Sequence, residues 1–231
     1  MNFADKIIYF NQNLKFTGKL PVGYFVMNPF LDNPETIEVM KRFYQKFYAD
    51  QYERRFLIGI NPSRHGAGVT GVPFTDTKRL ASACGVQMLS ARTHEISSVY
   101  MYDMIAAYGG ASAFYRNFYI NSPFPLAIIK EVTPGQFINA NYYDKPELYM
   151  AVKDFMIESL KKHIAMGLNQ EEVFILGKKN AKFIDKLNRE GKFFKKLTVL
   201  EHPRFIQQYK SKERQLYIDK YLLSFHPSDE S

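Results

Sequence analysis

The apolar positions of this chain follow two periods. Near the N-terminus Phe3, Ile7, Phe10 and Leu14 recur at helical spacing, which puts them on one helix face. Ile37, Met40, Tyr44 and Phe47 do the same behind Asn33-Pro34, a pair suited to an N-cap and a first helical turn. The first 50 or so residues therefore read as a helical part. Beyond them come short continuous apolar runs: Phe56-Leu57-Ile58, Phe118-Tyr119-Ile120, Val173-Phe174-Ile175-Leu176 and Leu197-Thr198-Val199-Leu200. Each has the length of a buried strand, the first extending over residues 54–61. Helical patterns separate them, over about Ser97–Tyr108 and over Glu147–Met166. In the second, Leu148, Val152, Phe155, Ile157 and Leu160 lie mostly on one side. Further helices start at Gly177-Lys178-Lys179-Asn180 and at about Lys212. Strands alternating with helices predict an α/β fold, a three-layer α/β/α sandwich around a central, mainly parallel four-stranded sheet. We expect one domain over residues 1–231, with a frayed tail at about 226–231.

This pattern locates the polar residues. Asn61, Asn121 and His202 each follow directly after a predicted strand. All three should gather at the C-terminal edge of the sheet, where ligands of such sheets bind. One such residue alone would read as a loop cap. Three on separate strands point to chemistry. After the first strand comes a loop, Gly59-Ile60-Asn61-Pro62-Ser63-Arg64-His65-Gly66-Ala67-Gly68-Val69-Thr70-Gly71-Val72-Pro73-Phe74. Its glycines would let backbone approach a flat ligand, and Phe74 could stack on one.

Composition narrows the classes. Hydrophobic residues make up 46% and aromatics 16% of 231 residues, ample for one large core. A single cysteine, Cys84, excludes an internal disulfide, a Cys-rich zinc site and a four-cysteine cluster, and fits a reducing cytoplasm. Charges near Met1 leave no signal-peptide core, and the uncharged stretch Asn117–Ile129 is too short and Pro-interrupted to span a bilayer. The histidines, His65, His94, His163, His202 and His226, lack ligand spacing, so no metal and no cofactor is expected. Net charge is +8. Twelve Lys or Arg against four Asp or Glu lie between Lys178 and Arg214, a surplus equal to that of the whole chain. Such a face can neutralise phosphates.

The motifs resemble the uracil-DNA glycosylase superfamily, nearest its single-strand-selective monofunctional (SMUG-type) branch. The first motif there reads Gly-Met-Asn-Pro-Gly, with Thr-Gly-Val-Pro-Phe downstream. Gly59-Ile60-Asn61-Pro62 and Thr70-Gly71-Val72-Pro73-Phe74 match at the same spacing. Val26-Met27-Asn28-Pro29-Phe30 is similar to an upstream Tyr-Asn-Pro segment, Asn121-Ser122-Pro123 to an Asn-x-Cys-Pro-Leu site, and His202-Pro203 to the start of a His-Pro-Ser motif. The resemblance spans about residues 22–223. Two departures stand out: Ser63 replaces the glycine after Asn-Pro, and Arg204-Phe205 replaces the residues after His-Pro.

The resemblance implies a monofunctional DNA glycosylase that hydrolyses the bond between deoxyribose and uracil or a modified uracil, the first step of base excision repair. It also implies base flipping. Phe74 would stack on the flipped base, Asn121 would read its edge, His202 would meet charge growing on O2, and Asn61 would orient the water. The base pocket would include Ile60, Ser63, Gly66 and Gly68, with the Ile60 N–H available to O2. Apart from the resemblance, charge and helix-start position suggest that Lys178, Lys179, Lys210, Lys212 and Arg214 would grip DNA, with Arg204 and Phe205 placed to fill the gap left by the flipped base. The partner is DNA, single-stranded or duplex, the protein a monomer without a membrane role. Xanthine or hypoxanthine as the excised base, and a silent DNA-binding module, are the alternatives.

Overall fold

The computed structural model describes residues 1–225; the predicted tail at 226–231, with His226, lies outside the described residues. Helix α1 (Phe3–Gln12) opens with an Asn2/Asp5 capping box, in which each side chain accepts the other residue's N–H. Then come β1 (Tyr24–Met27), α2 (Pro29–Asp32), α3 (Pro34–Tyr48) and β2 (Arg54–Ile58). The loop after β2 contains α4 (Ala67–Thr70) and leads into α5 (Thr77–Ser82), α6 (Ile96–Ala107) and α7 (Ala111–Asn117). Next are β3 (Phe118–Asn121), β4 (Ala127–Thr133), β5 (Gln136–Ala140), α8 (Pro146–Ala165) and β6 (Leu168–Leu176). The chain closes through α9 (Lys178–Gly191), β7 (Lys196–Leu200), α10 (Pro203–Tyr209) and α11 (Arg214–Phe225).

The central sheet has the order β3-β2-β6-β7 and is parallel throughout. Helices flank it, as the strand–helix alternation requires. The apolar runs Phe56–Ile58 and Val173–Leu176 are buried, so they read as continuous rather than alternating. The first strand ends at Ile58, three residues before its predicted end; the Gly59 N–H donates to the Asn121 carbonyl at 2.8 Å and makes the last bond of the β2–β3 pairing.

A second sheet departs from the sequence reading. Strands β1, β4 and β5 form an antiparallel sheet in the order β1-β4-β5. The N-terminal part is thus not wholly helical. The β4–β5 hairpin turns at Pro134-Gly135, with Gly135 at φ +76°. That dipeptide is the ordinary signal for such a turn.

The core also holds a charge. Arg54 has no exposed surface. Its guanidinium bonds both Asp50 carboxylate oxygens at 2.8 and 2.9 Å and the Tyr115 carbonyl at 2.8 Å. It lies against the rings of Phe3 and Tyr48, 4.7 and 4.6 Å from their centroids. The pair closes the N-terminal helices over the start of β2.

Candidate active site

Strand ends β2 and β3, the loop after β2, the segment before α6, the end of β5 and the start of α10 enclose a cavity of about 270 Å³. This is near the small end of ligand sites and suits one base-sized group. Ile60, Asn61, Ser63, Phe74, Asn121, His202 and Arg204 all line it. Among the predicted site residues, Gly66, Gly68, Lys178, Lys179, Phe205 and Lys210 do not.

The buried side chain of Asn180, on α9, staples the strand ends. Its amide donates to the Gly59 and Leu176 carbonyls at 3.1 and 3.2 Å and accepts from the Tyr142 hydroxyl at 2.6 Å. The Thr70 hydroxyl donates to the Thr75 carbonyl at 2.7 Å and ties the far end of the loop. Phe74 ends this loop at φ +53°, in the left-handed region. Its ring packs on Gly59, where a Cβ would come within 3.0 Å, and lies 5.7 Å from the His202 ring.

Asn121 is the last residue of β3 and is buried. Its Oδ1 accepts the Ser122 N–H at 2.9 Å. Because that backbone group can only donate, the amide orientation is settled, and Nδ2 donates to the Tyr119 hydroxyl at 2.7 Å. Tyr119 in turn lies 3.3 Å from Nδ1 of His163. Burial lowers His163 to a pKa of about 3, so its ring is neutral and Nδ1 is free to accept the Tyr119 O–H. One Oδ1 lone pair and one Nδ2–H of Asn121 remain for a ligand.

His202 is the N-cap of α10, with Pro203 at the first helical position. Its Nδ1 accepts the Arg204 N–H at 3.1 Å. The proton of the neutral ring therefore sits on Nε2. Desolvation, then the Arg204 charge, lowers the pKa to about 4. At neutral pH the ring is an uncharged N–H donor.

Asn61 is more heavily engaged than a strand-end position suggests. Its Nδ2 donates to the Ala140 and Pro62 carbonyls at 3.0 and 3.3 Å, and its Oδ1 accepts the Tyr142 N–H at 3.1 Å. It ties the β2 loop to the end of the second sheet. One Oδ1 lone pair is left over.

The sequence reading missed Glu95, which also lines the cavity. Its Oε1 accepts from the Ser63 hydroxyl at 2.7 Å, and its N–H bonds the buried Asp76 carboxylate at 3.0 Å. Burial raises its carboxyl to a pKa of about 7; Ser63 opposes the shift, Asp76 adds to it and Arg204 opposes it. No motif surrounds Glu95 in sequence, so only the fold reveals it. Gly66 and Gly68 make room for this packing. A Cβ on Gly66 would stand 2.2 Å from the Glu95 Oε2, and one on Gly68 2.5 Å from the Ser63 carbonyl.

Lys178 and Lys179 are exposed at the N-terminus of α9, next to the site: Gly177 lies 3.3 Å from the His202 Cβ, measured from where its own Cβ would be. Arg204 and Phe205 belong to the first turn of α10 and are exposed. Phe205 pairs with Tyr209 on the same helix, ring centroids 5.7 Å apart. Lys210 and Arg214 are engaged with Glu213 and Asp103 at 2.8 and 2.9 Å.

Comparison with known proteins accords with this geometry. Residues 46–226 match the family model described as the uracil DNA glycosylase superfamily. A crystal structure of wild-type SMUG2 from Pedobacter heparinus is 48% identical, covers 97% of each chain and superimposes with a TM-score of 0.95. No curated protein matches.

Proposed function

The chain belongs to the uracil DNA glycosylase superfamily, and from that premise we propose that it is a monofunctional DNA glycosylase releasing uracil from DNA as a cytoplasmic monomer. The observation that carries the choice of base is the fixed amide of Asn121. Its remaining acceptor and donor lie side by side, complementary to N3–H and O4 of uracil. Cytosine presents the reverse pattern and would leave two polar edges mismatched, at about 1–3 kcal/mol each. Xanthine and hypoxanthine offer the same donor–acceptor pair through N1–H and O6, so the amide admits them as well.

The flipped base would stack on Phe74, a contact worth roughly 1–3 kcal/mol. As the glycosidic bond breaks, negative charge spreads to O2, where the His202 Nε2–H can meet it. Asn61 keeps one lone pair with which to hold an attacking water. Among the described residues no lysine lines the cavity, which favours hydrolysis without a Schiff base to the sugar.

The test is direct. Single-stranded and duplex oligonucleotides with one uracil, xanthine, hypoxanthine or cytosine are incubated with the protein and then treated with alkali. Uracil strands should break only after alkali, and cytosine strands should stay whole. Cleavage without alkali, or a borohydride-trapped complex, overturns the monofunctional reading. An inert protein that still binds DNA supports the silent module.

DNA contact is expected around the α9 N-terminus, where backbone N–H groups and two exposed lysines favour phosphate. Affinity for DNA should fall steeply with salt as counterions are released. Reversing both charges, Lys178→Glu with Lys179→Glu, should lower the slope of log affinity against log salt by about 2. An unchanged slope moves the DNA face elsewhere.

A further inference from the structure

We propose that Ser63 and Glu95 form a proton-accepting pair for the attacking water, an inference that rests on the glycosylase reading above. Hydrolysis makes a bond from water oxygen to C1′ and breaks the bond from C1′ to the base nitrogen, whose electron pair leaves with the base. The water must lose a proton. Asn61 is an amide and cannot take it. His202 has its Nδ1 lone pair engaged by the Arg204 N–H and its Nε2 already protonated. Arg204 is a cation.

Glu95 is the carboxyl in the cavity wall. Its Oε1 holds the Ser63 hydroxyl at 2.7 Å, while its Oε2 is buried with no hydrogen-bond partner among the described residues. A buried carboxylate oxygen left without a partner costs stability, and a catalytic use would account for its being there. Ser63 stands directly after Asn61-Pro62, lines the same cavity as the amide that would hold the water, and occupies the position where the resembling family carries glycine. The relay balances as follows: the water proton passes to Ser63 Oγ as the Ser63 proton passes to Glu95 Oε1. Ser63 meets the water, and Glu95 acts through it.

The charges facing Glu95 come from every element around it. Asp76 caps α5 and holds Arg79 at 3.0 Å and His94 at 3.6 Å. Arg204 approaches from α10. His65 adjoins Ser63 and is exposed, as is His94; burial and Arg64 lower the His65 pKa. The Glu95 carboxyl, poised near pH 7, would be protonated and useless as an acceptor below that pH and ionised above it.

Single-turnover release of uracil at pH 5.5–8.5 tests the pair. The wild-type rate should rise about tenfold per pH unit up to about pH 7 and then level off. Glu95→Gln should be flat over this range and roughly a hundredfold slower at pH 8. Ser63→Ala should flatten the profile too, and Ser63→Thr should restore it. Equal affinity of all variants for an oligonucleotide bearing uncleavable 2′-fluoro-deoxyuridine confirms that the site is folded. A rising limb retained in Glu95→Gln assigns the proton to a rim histidine and overturns the pair. A limb retained in Ser63→Ala means that Glu95 acts on the sugar's charge directly, and overturns the relay. A wild-type protein that releases none of the bases in the cleavage assay overturns the glycosylase reading itself, and the relay with it.

Discussion

His202→Ala should slow base release about a hundred- to a thousandfold while leaving DNA affinity nearly unchanged. The loss of one donor to a developing oxyanion has this size. On the proposed reading His202 meets charge that exists mainly in the transition state, so its removal should lower the chemical step and spare binding. The geometry gives the donor its form: Nδ1 is engaged by the Arg204 N–H, and the ring is neutral with its pKa at about 4. The pH profile of the wild type should therefore show no limb from His202 between pH 5.5 and 8.5. Asn121→Ala is the contrasting arm. It removes the base-reading amide and should weaken binding of uracil-containing DNA as well as its cleavage. Single-turnover rates and filter-binding constants separate the two. If His202→Ala releases uracil at the wild-type rate, the oxyanion assignment fails.

The largest stability effect is expected at Arg54. Arg54→Ala should destabilise the protein by about 2–5 kcal/mol, the cost of emptying a fully buried side-chain site, while the partly exposed Asp50 carboxylate left behind can turn to water. The substitution strips partners from the Asp50 carboxylate and the Tyr115 carbonyl and opens a hole between Phe3 and Tyr48. Arg54→Met refills part of the hole but none of the hydrogen bonds, and should recover only part of the loss. Urea unfolding followed by circular dichroism measures both, and an Arg54→Ala midpoint equal to wild type excludes the role. Burial is the largest single influence on the Asp50 carboxyl and raises its pKa, but the Arg54 hydrogen bond, the Tyr52 N–H and the Arg54 and Arg116 charges together hold it below the usual value. A carboxyl lowered on folding stabilises the native state above its unfolded pKa. That contribution should fade as pH falls below about 4, in wild type and not in Arg54→Ala.

Much of this was legible in the chain because local patterns and global fold agree. The parallel strands are buried, so they show as unbroken apolar runs. The residues at or just past their ends, Asn61, Asn121 and His202, fall on one cavity for the topological reason that parallel strands share a C-terminal edge. The second sheet was harder to read. Its strand Tyr24–Met27 is four residues long and pairs with residues about a hundred positions away, and a stretch that short carries no period of its own. The α10 helix was overlooked although His202-Pro203 is a cap followed by a first-turn proline. Glu95 had no local signal at all, since its partners Ser63, Asp76 and Arg204 come from three separate segments. Two glycines of the loop, Gly66 and Gly68, also make room for the protein's own Glu95 carboxylate and Ser63 carbonyl, a packing demand that no sequence pattern announces.

The backbone at Phe74 sets stability against capture. A non-glycine residue held at φ +53° costs on the order of 1–3 kcal/mol, which glycine would not incur. Only an aromatic ring, however, offers a flipped base a face to lie on. Glycine at this position would relieve the backbone but forfeit the ring's packing on Gly59 and against His202, so a search for a hardier form of the protein should hold residue 74 fixed and look for its gains elsewhere.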